Sequence, residues 1–403
     1  MCLSIWTAKM DGSNDVTIGN VSHTDSVVCN DDENAAASRL LRQTLQLTTL
    51  PGIGPRTLRS LLDHFESPEH VLNASADQLS QVPGVGPKLV HTIRTADHHV
   101  DIEPIIQWCS DHDVDMLLQG TTRYPQPLTD LVDAPPILFS HGTLTQTDQL
   151  AVAIVGTRHA SSYGTRQANR IAYGLAKAGI TVVSGLARGI DAAAHEGALS
   201  AGGRTIAVLG GGIGQIYPAE HEGLAKAIAA DGAVVSEFRP DAKPRGGMFP
   251  QRNRIIAALS LATLVIEAPD RSGALITARL ASEIGREVMA LPGPVTSRAS
   301  RGVNQLIREG ATLVQTVDDV LEAIGPIGCD VSIDGDQNIR NPAELKLNEL
   351  ERNVLDAIEP TGTVIDQVIA SSGIPAHQVM ATISVLEMRK LIRRLSGQYV
   401  ARV

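Results

Sequence analysis

From Val152 onward the chain alternates short apolar runs, rich in β-branched residues, with longer stretches of helical period. This alternation narrows the fold more than any other feature. The runs fall at 151–155, 180–183, 205–209, 233–236, 262–267, 287–291 and 311–315. Helical patterns fill the gaps, at 166–178, 191–200, 220–230, 251–260 and 274–285. Strands alternating with helices of this size indicate a parallel sheet with right-handed crossovers. The fold class is therefore α/β, a doubly wound Rossmann-like parallel sheet domain over residues 121–325. In such folds ligands bind where loops leave the carboxyl ends of the strands.

The flanking segments differ in kind. Residues 1–38 are polar, acidic and aperiodic, and are expected to form a disordered tail. From Leu40 the pattern turns helical and contains an internal repeat. Leu50-Pro51-Gly52-Ile53-Gly54-Pro55 precedes the apolar positions Leu58, Leu61, Leu62 and Phe65. Val82-Pro83-Gly84-Val85-Gly86-Pro87 precedes Leu89, Val90 and Ile93. Two such turns in tandem predict an all-α helix-hairpin-helix (SAM-like) domain over 39–120. Residues 326–345 have a linker composition. Helical patterns at 346–358, 365–371 and 376–390, followed by two short strands around a glycine turn, predict a winged helix over 346–403.

The 403 residues suffice for two to three domains. Apolar residues at 43% and charged residues at 19% exclude a disordered or fibrous chain. No window approaches the roughly 18 uninterrupted apolar residues of a membrane span, and no basic start followed by an apolar core opens the chain. Cys2, Cys29, Cys109 and Cys329 are scattered, which disfavours a disulfide scaffold or a metal site and fits a reducing cytoplasm. The net charge of −10 lies entirely in two stretches, residues 1–38 and 101–115, each carrying −5. The rest is neutral, so a local basic groove for nucleic acid is allowed. Only eleven residues are aromatic, so a nucleic-acid binder of this composition leans on phosphate contacts with few stacking rings.

The loops after the strands carry the candidate chemistry. Glycine turns let consecutive backbone N–H groups converge on an anion. Gly156-Thr157-Arg158 follows the first strand without a GxGxxG or P-loop spacing, and offers amides plus one guanidinium to a phosphate. Ser184, Gly185 and Arg188 repeat that theme. Asp191 is expected to cap the next helix and to share a face with His195; a cap beside a structural histidine is favoured over a proton-transfer pair. Lys243, Arg245, Phe249, Arg252 and Arg254 combine cations with one ring at a helix start. Phe249 is open to a core reading, and Arg252 and Arg254 to pairing with Glu237 or Glu267. The expectation is a split outcome in which at least one arginine faces ligand.

Taken in order, the motifs at 122–125, 134–142, 153–158, 183–195, 205–213, 216–218, 249–260, 272–281 and 291–293 resemble the DNA-processing protein A (Smf) family. The resemblance is dense over 122–325. It implies a non-catalytic protein without cofactor or metal that binds and protects single-stranded DNA and helps load the RecA recombinase in natural transformation. It also implies a homodimer formed through the Rossmann-like domain. The DNA contacts carried over are Gly156, Thr157, Arg158, Ser184, Gly185, Arg188, Phe249, Arg252 and Arg254. Some relatives place a lysine where this chain has Gly246, for which Lys243 or Arg245 substitutes.

Two other classes compete. One is a nucleotide-processing enzyme of the lysine-decarboxylase-like Rossmann group, whose PGGxGT rim motif is replaced here by Leu291-Pro292-Gly293-Pro294-Val295. The other is a transcription regulator. Its recognition helix would be 376–390, where the only bases, Arg389 and Lys390, sit at the wrong end for reading a groove.

Overall fold

The computed structural model describes residues 8–10, 16–18, 31–96, 100–325, 331–333, 337–339, 341–395 and 398–403. These form two compact units. One comprises Met1–Leu144, Ser184–Ala187 and Thr205–Leu259, the other Thr145–Val183, Arg188–Arg204 and Ser260–Val403.

The first unit begins with two short antiparallel strands, β1 (Ala8–Met10) and β2 (Val16–Ile18). A helix then runs over Asp31–Thr49. The expectation of disorder to residue 38 is corrected at these positions; the remainder of that tail lies outside the described residues. The helix extends upstream of Leu40 because Ala35–Ala37 have the highest helix propensity.

Both repeated turns adopt the same geometry. Gly52 and Gly84 take φ of 92° and 85°, which disfavours side-chain-bearing residues. Gly54 and Gly86 are N-caps, and Pro55 and Pro87 open the helices Pro55–Phe65 and Pro87–Arg94, where a missing N–H costs nothing. Leu47, Leu58, Leu61, Val71, Leu79, Val90 and Ile93 form one apolar core beneath them.

Two further strands of the first unit also escaped the pattern reading. β3 (Val114–Leu118) and β4 (Ile137–Gly142) pair antiparallel, with Val114 opposite His141 and Leu118 opposite Ile137. β4 pairs antiparallel with β8 (Ala233–Ser236), which is parallel to β7 (Thr205–Val208). β3 starts at the end of the acidic stretch, so the sheet begins before the expected boundary at residue 121. Asp115 on β3 pairs with Arg123 at 2.5 Å.

Cys109 is buried on the preceding helix Glu103–Asp111, and burial pushes its thiol up to about 12. Burial therefore keeps the group in its unreactive thiol form at pH 8. Iodoacetamide at pH 8, read by peptide mass spectrometry, is expected to leave Cys109 unlabelled until denaturant is added. Cys2, Cys29 and Cys329 lie outside the described residues.

In the second unit the parallel order is β11 (Thr312–Leu313), β10 (Glu287–Ala290), β9 (Ala262–Val265), β5 (Ala151–Val155) and β6 (Thr181–Ser184). All five β5 residues are buried, as a strand covered on both faces requires. Helices Ser162–Lys177 and Ile190–Ser200 supply Ile171, Leu175 and Ala194 to that core. β5 has β6 on one side and β9 on the other. The chain therefore reverses its winding direction at β5, where doubly wound folds open a crevice.

The C-terminal helices Glu349–Asp356, Ile365–Ser372 and Ala376–Met388 pack with a three-stranded sheet, β14 (Thr363–Val364), β16 (Tyr399–Arg402) and β15 (Ile392–Arg394), as a winged helix requires. The linker expectation is corrected over 341–345. Ala343 joins the winged-helix core, and buried Glu344 accepts a hydrogen bond from Arg402 at 2.6 Å. A one-turn 3₁₀ helix, Pro342–Lys346, is too short to show a period. β12 (Val331–Ile333) and β13 (Gln337–Ile339) form a hairpin within the same stretch; residues 326–330, 334–336 and 340 lie outside the described residues. No single helix among the described residues is long and apolar enough to cross a membrane.

Candidate nucleic-acid interface

In the second unit two loops leave adjacent parallel strands, β5 and β6, and lock together. Thr157 N–H donates to Glu267 O at 2.7 Å, and Ile190 N–H donates to Thr157 O at 3.3 Å. Gly189, at φ 79°, lies so close that a Cβ there would stand 2.5 Å from Thr157 O and 2.9 Å from Arg158 O. Below them Glu267, 2% exposed, accepts hydrogen bonds from the Ser161 N–H at 2.9 Å and from the Ser161 hydroxyl. Ser161 also accepts from Gly164 N–H and caps the helix Ser162–Lys177. The result is a rigid, glycine-bordered clasp whose two arginines, Arg158 and Arg188, are both exposed. Gly156 and Thr157 are half-buried between them.

The first unit holds a different arrangement. The helix Met248–Ala258 is buried from Arg252 to its end. Arg252 is 3% exposed and donates from Nη1 to Val208 O at 2.5 Å. Its guanidinium packs against Gly185, where a Cβ would stand 1.8 Å from Nη1. Arg254 donates to both carboxylate oxygens of Glu237, at 2.8 and 2.7 Å, and to Asp133 O at 3.0 Å. Its Nε stands 3.2 Å from the Asp133 carboxylate. Burial pushes the Glu237 carboxyl above its usual range, while the neighbouring guanidinium pulls it back down. Tyr124 completes the cluster, its buried hydroxyl donating to Pro135 O at 2.7 Å.

Beside this buried cluster the surface changes character. Phe249 is half-buried, its ring against Gly210, where a Cβ would stand 2.6 Å from Cδ1. The exposed ring of Tyr217 lies 5.8 Å from it. Lys243 and Arg245 are exposed on the segment leading into the helix.

Comparison with known proteins decides the family. The family model for DNA recombination-mediator protein A matches residues 115–325, more than half of the chain. The chain belongs to the DNA recombination-mediator protein A family. A SAM-like helix-hairpin-helix tandem matches residues 44–96 and a DprA winged helix domain matches 339–398. Protein Smf of Synechocystis is 34% identical over 383 residues, covering 88% of this chain and 96% of that protein. Protein Smf of Escherichia coli is 39% identical over 305 residues, covering 74% of this chain and 80% of that one. Among solved structures, DNA processing protein A from Streptococcus pneumoniae is 34% identical with a TM-score of 0.60, covering 70% of this chain and 95% of its own.

Within this recombination-mediator fold the expected site residues separate by burial. Arg158 and Arg188 share the clasp, and Lys243, Arg245 and Phe249 reach the surface of the other unit. Arg254 follows the pairing alternative: its charge is met in the interior by Glu237, with Asp133 beside it. Arg252, Ser184 and Gly185 are also buried, and the missing side chain of Gly185 makes room for the Arg252 guanidinium. The cap before Ile190–Ser200 is Gly189; Asp191 sits inside the first turn without a side-chain cap, and His195 is fully buried. Residue-level reading missed Tyr217, which carried only a weak signal, a ring after the Gly210-Gly211-Gly212 run. It offered Glu267 as a partner for an arginine, whereas Glu267 accepts from Ser161, a contact without sequence signal because Ser161 lies 106 residues away.

Proposed function

We propose that this family member binds single-stranded DNA through its sugar-phosphate chain, without reading sequence and without making or breaking a bond. The observation that carries the reading is the clasp, in which two loops locked together by their own backbone hydrogen bonds carry two exposed arginines at the crevice position at β5. Guanidinium donors recognise phosphate whatever base is attached. The loop that would serve a nucleotide-processing enzyme supports the same reading. Gly293 is tied at both its N–H and its carbonyl to the Asn304 side chain, at 3.2 and 3.0 Å, and the Ser300 side chain fills the space where a Cβ would stand. We extend the proposal, on family grounds, to protecting the strand and passing it to the RecA recombinase during natural transformation, as a homodimer.

The test is binding of the full-length chain to an oligothymidylate across a salt series. Each phosphate neutralised contributes about −0.7 to the log–log slope on a single strand. Arg158→Ala is expected to shallow the slope by about that amount, and Arg158→Ala with Arg188→Ala by about twice as much. Unchanged slope and affinity in the double variant would overturn the clasp as the DNA site. Release of free base from nucleoside monophosphates would instead favour the enzyme reading.

A further inference from the structure

Phosphate contacts explain affinity for a backbone but not preference for an unpaired strand, which comes from bases free to stack on protein rings. We infer that Tyr217, with Phe249, forms a two-ring platform that stacks nucleobases of the bound strand; the inference rests on the single-strand reading above. Tyr217 is 47% exposed in a chain with only eleven aromatic residues. Its ring centroid lies 5.8 Å from that of Phe249 with the planes inclined at 54°. Rings at that separation are already in contact, so a base is received on the solvent face of Tyr217 and not between the two.

The platform is held rigid from beneath and from both sides. The Phe249 ring rests on Gly210, and Pro244 rests on Gly211, each at a distance that leaves no space for a Cβ. Gly212 N–H donates to Ala242 O at 2.8 Å, and Gly214 N–H donates to Pro240 O at 3.0 Å. These bonds tie the segment bearing Tyr217 to the segment bearing Lys243 and Arg245. Arg239 on that second segment is paired with Asp241 at 2.7 Å, whereas Lys243 and Arg245 make no ion pair among the described residues. Two exposed cations therefore lie on the segment that is tied to the one bearing Tyr217 and that leads into Phe249. That is the combination that engages phosphates and bases of one strand together.

The experiment measures anisotropy of the full-length chain with a labelled oligothymidylate, and with an abasic oligomer of the same length and charge. Tyr217→Leu keeps apolar bulk against Phe249 but lacks a π-face. It is expected to bind oligothymidylate about tenfold more weakly, with an unaltered salt slope and unaltered binding to the abasic strand. Tyr217→Phe, which keeps the ring, is expected to restore the affinity. Equal binding of oligothymidylate by Tyr217→Leu and the unmodified chain would overturn the inference. So would an equal loss on the abasic strand, or a failure of the phenylalanine variant to restore binding. If the unmodified chain binds neither strand, the single-strand reading itself fails, and the platform with it.

Discussion

Glu237→Ala is expected to cost about 3–5 kcal/mol of folding stability, the range for removing one partner of a buried ion pair. The Glu237 carboxylate is 4% exposed and receives two hydrogen bonds from Arg254, whose side chain is 7% exposed. Alanine would leave that guanidinium buried with only the more exposed Asp133 to balance it. The loss is read as a fall in the denaturant midpoint at constant slope. Combining Glu237→Leu with Arg254→Met should recover much of the loss, because desolvation of both charges is relieved together. The same pair of variants checks the structural assignment of Arg254. If it braces the helix, the salt slope of DNA binding per folded molecule stays as it was; a slope shallower by about 0.7 would place it on a phosphate instead.

A comparable effect is expected at Gly189. Alanine there meets two costs: φ of 79° disfavours any side chain, and its Cβ would stand 2.5 Å from Thr157 O and 2.9 Å from the Arg158 carbonyl carbon. Those neighbours are backbone atoms, which cannot swing aside as a side-chain terminus can. Strain and overpacking together should cost about 3 kcal/mol or more. The two loops should part, and DNA affinity should fall with them. Gly202→Ala separates the two costs, since Gly202 has φ of 67° but nothing within 4 Å of a Cβ. It should lose only about 1 kcal/mol and bind DNA normally. Equal thermal midpoints for the two variants would show that the clasp contact contributes little.

How far the chain could be read without coordinates depended on the range of each signal. The alternation from Val152 to Leu313 reports backbone period and burial along consecutive residues, so the parallel strands and their helices were legible to within a few positions. The glycine turns at Gly52 and Gly84 were legible for the same reason, because positive φ is a local demand. β3 and β4 were not, since each is a short segment whose antiparallel role is set by the neighbour it meets, not by its own composition. Arg252 and Arg254 show the limit most clearly. An arginine near a helix start has the same sequence signature whether it faces a phosphate, a carbonyl 44 residues away or a carboxylate 17 residues away. Composition and periodicity determined the fold class and the loops that could carry charge. Tertiary structure alone decided which guanidinium groups stay in water and which are neutralised inside, because an ion pair depends on distance in space and on the solvent excluded around it.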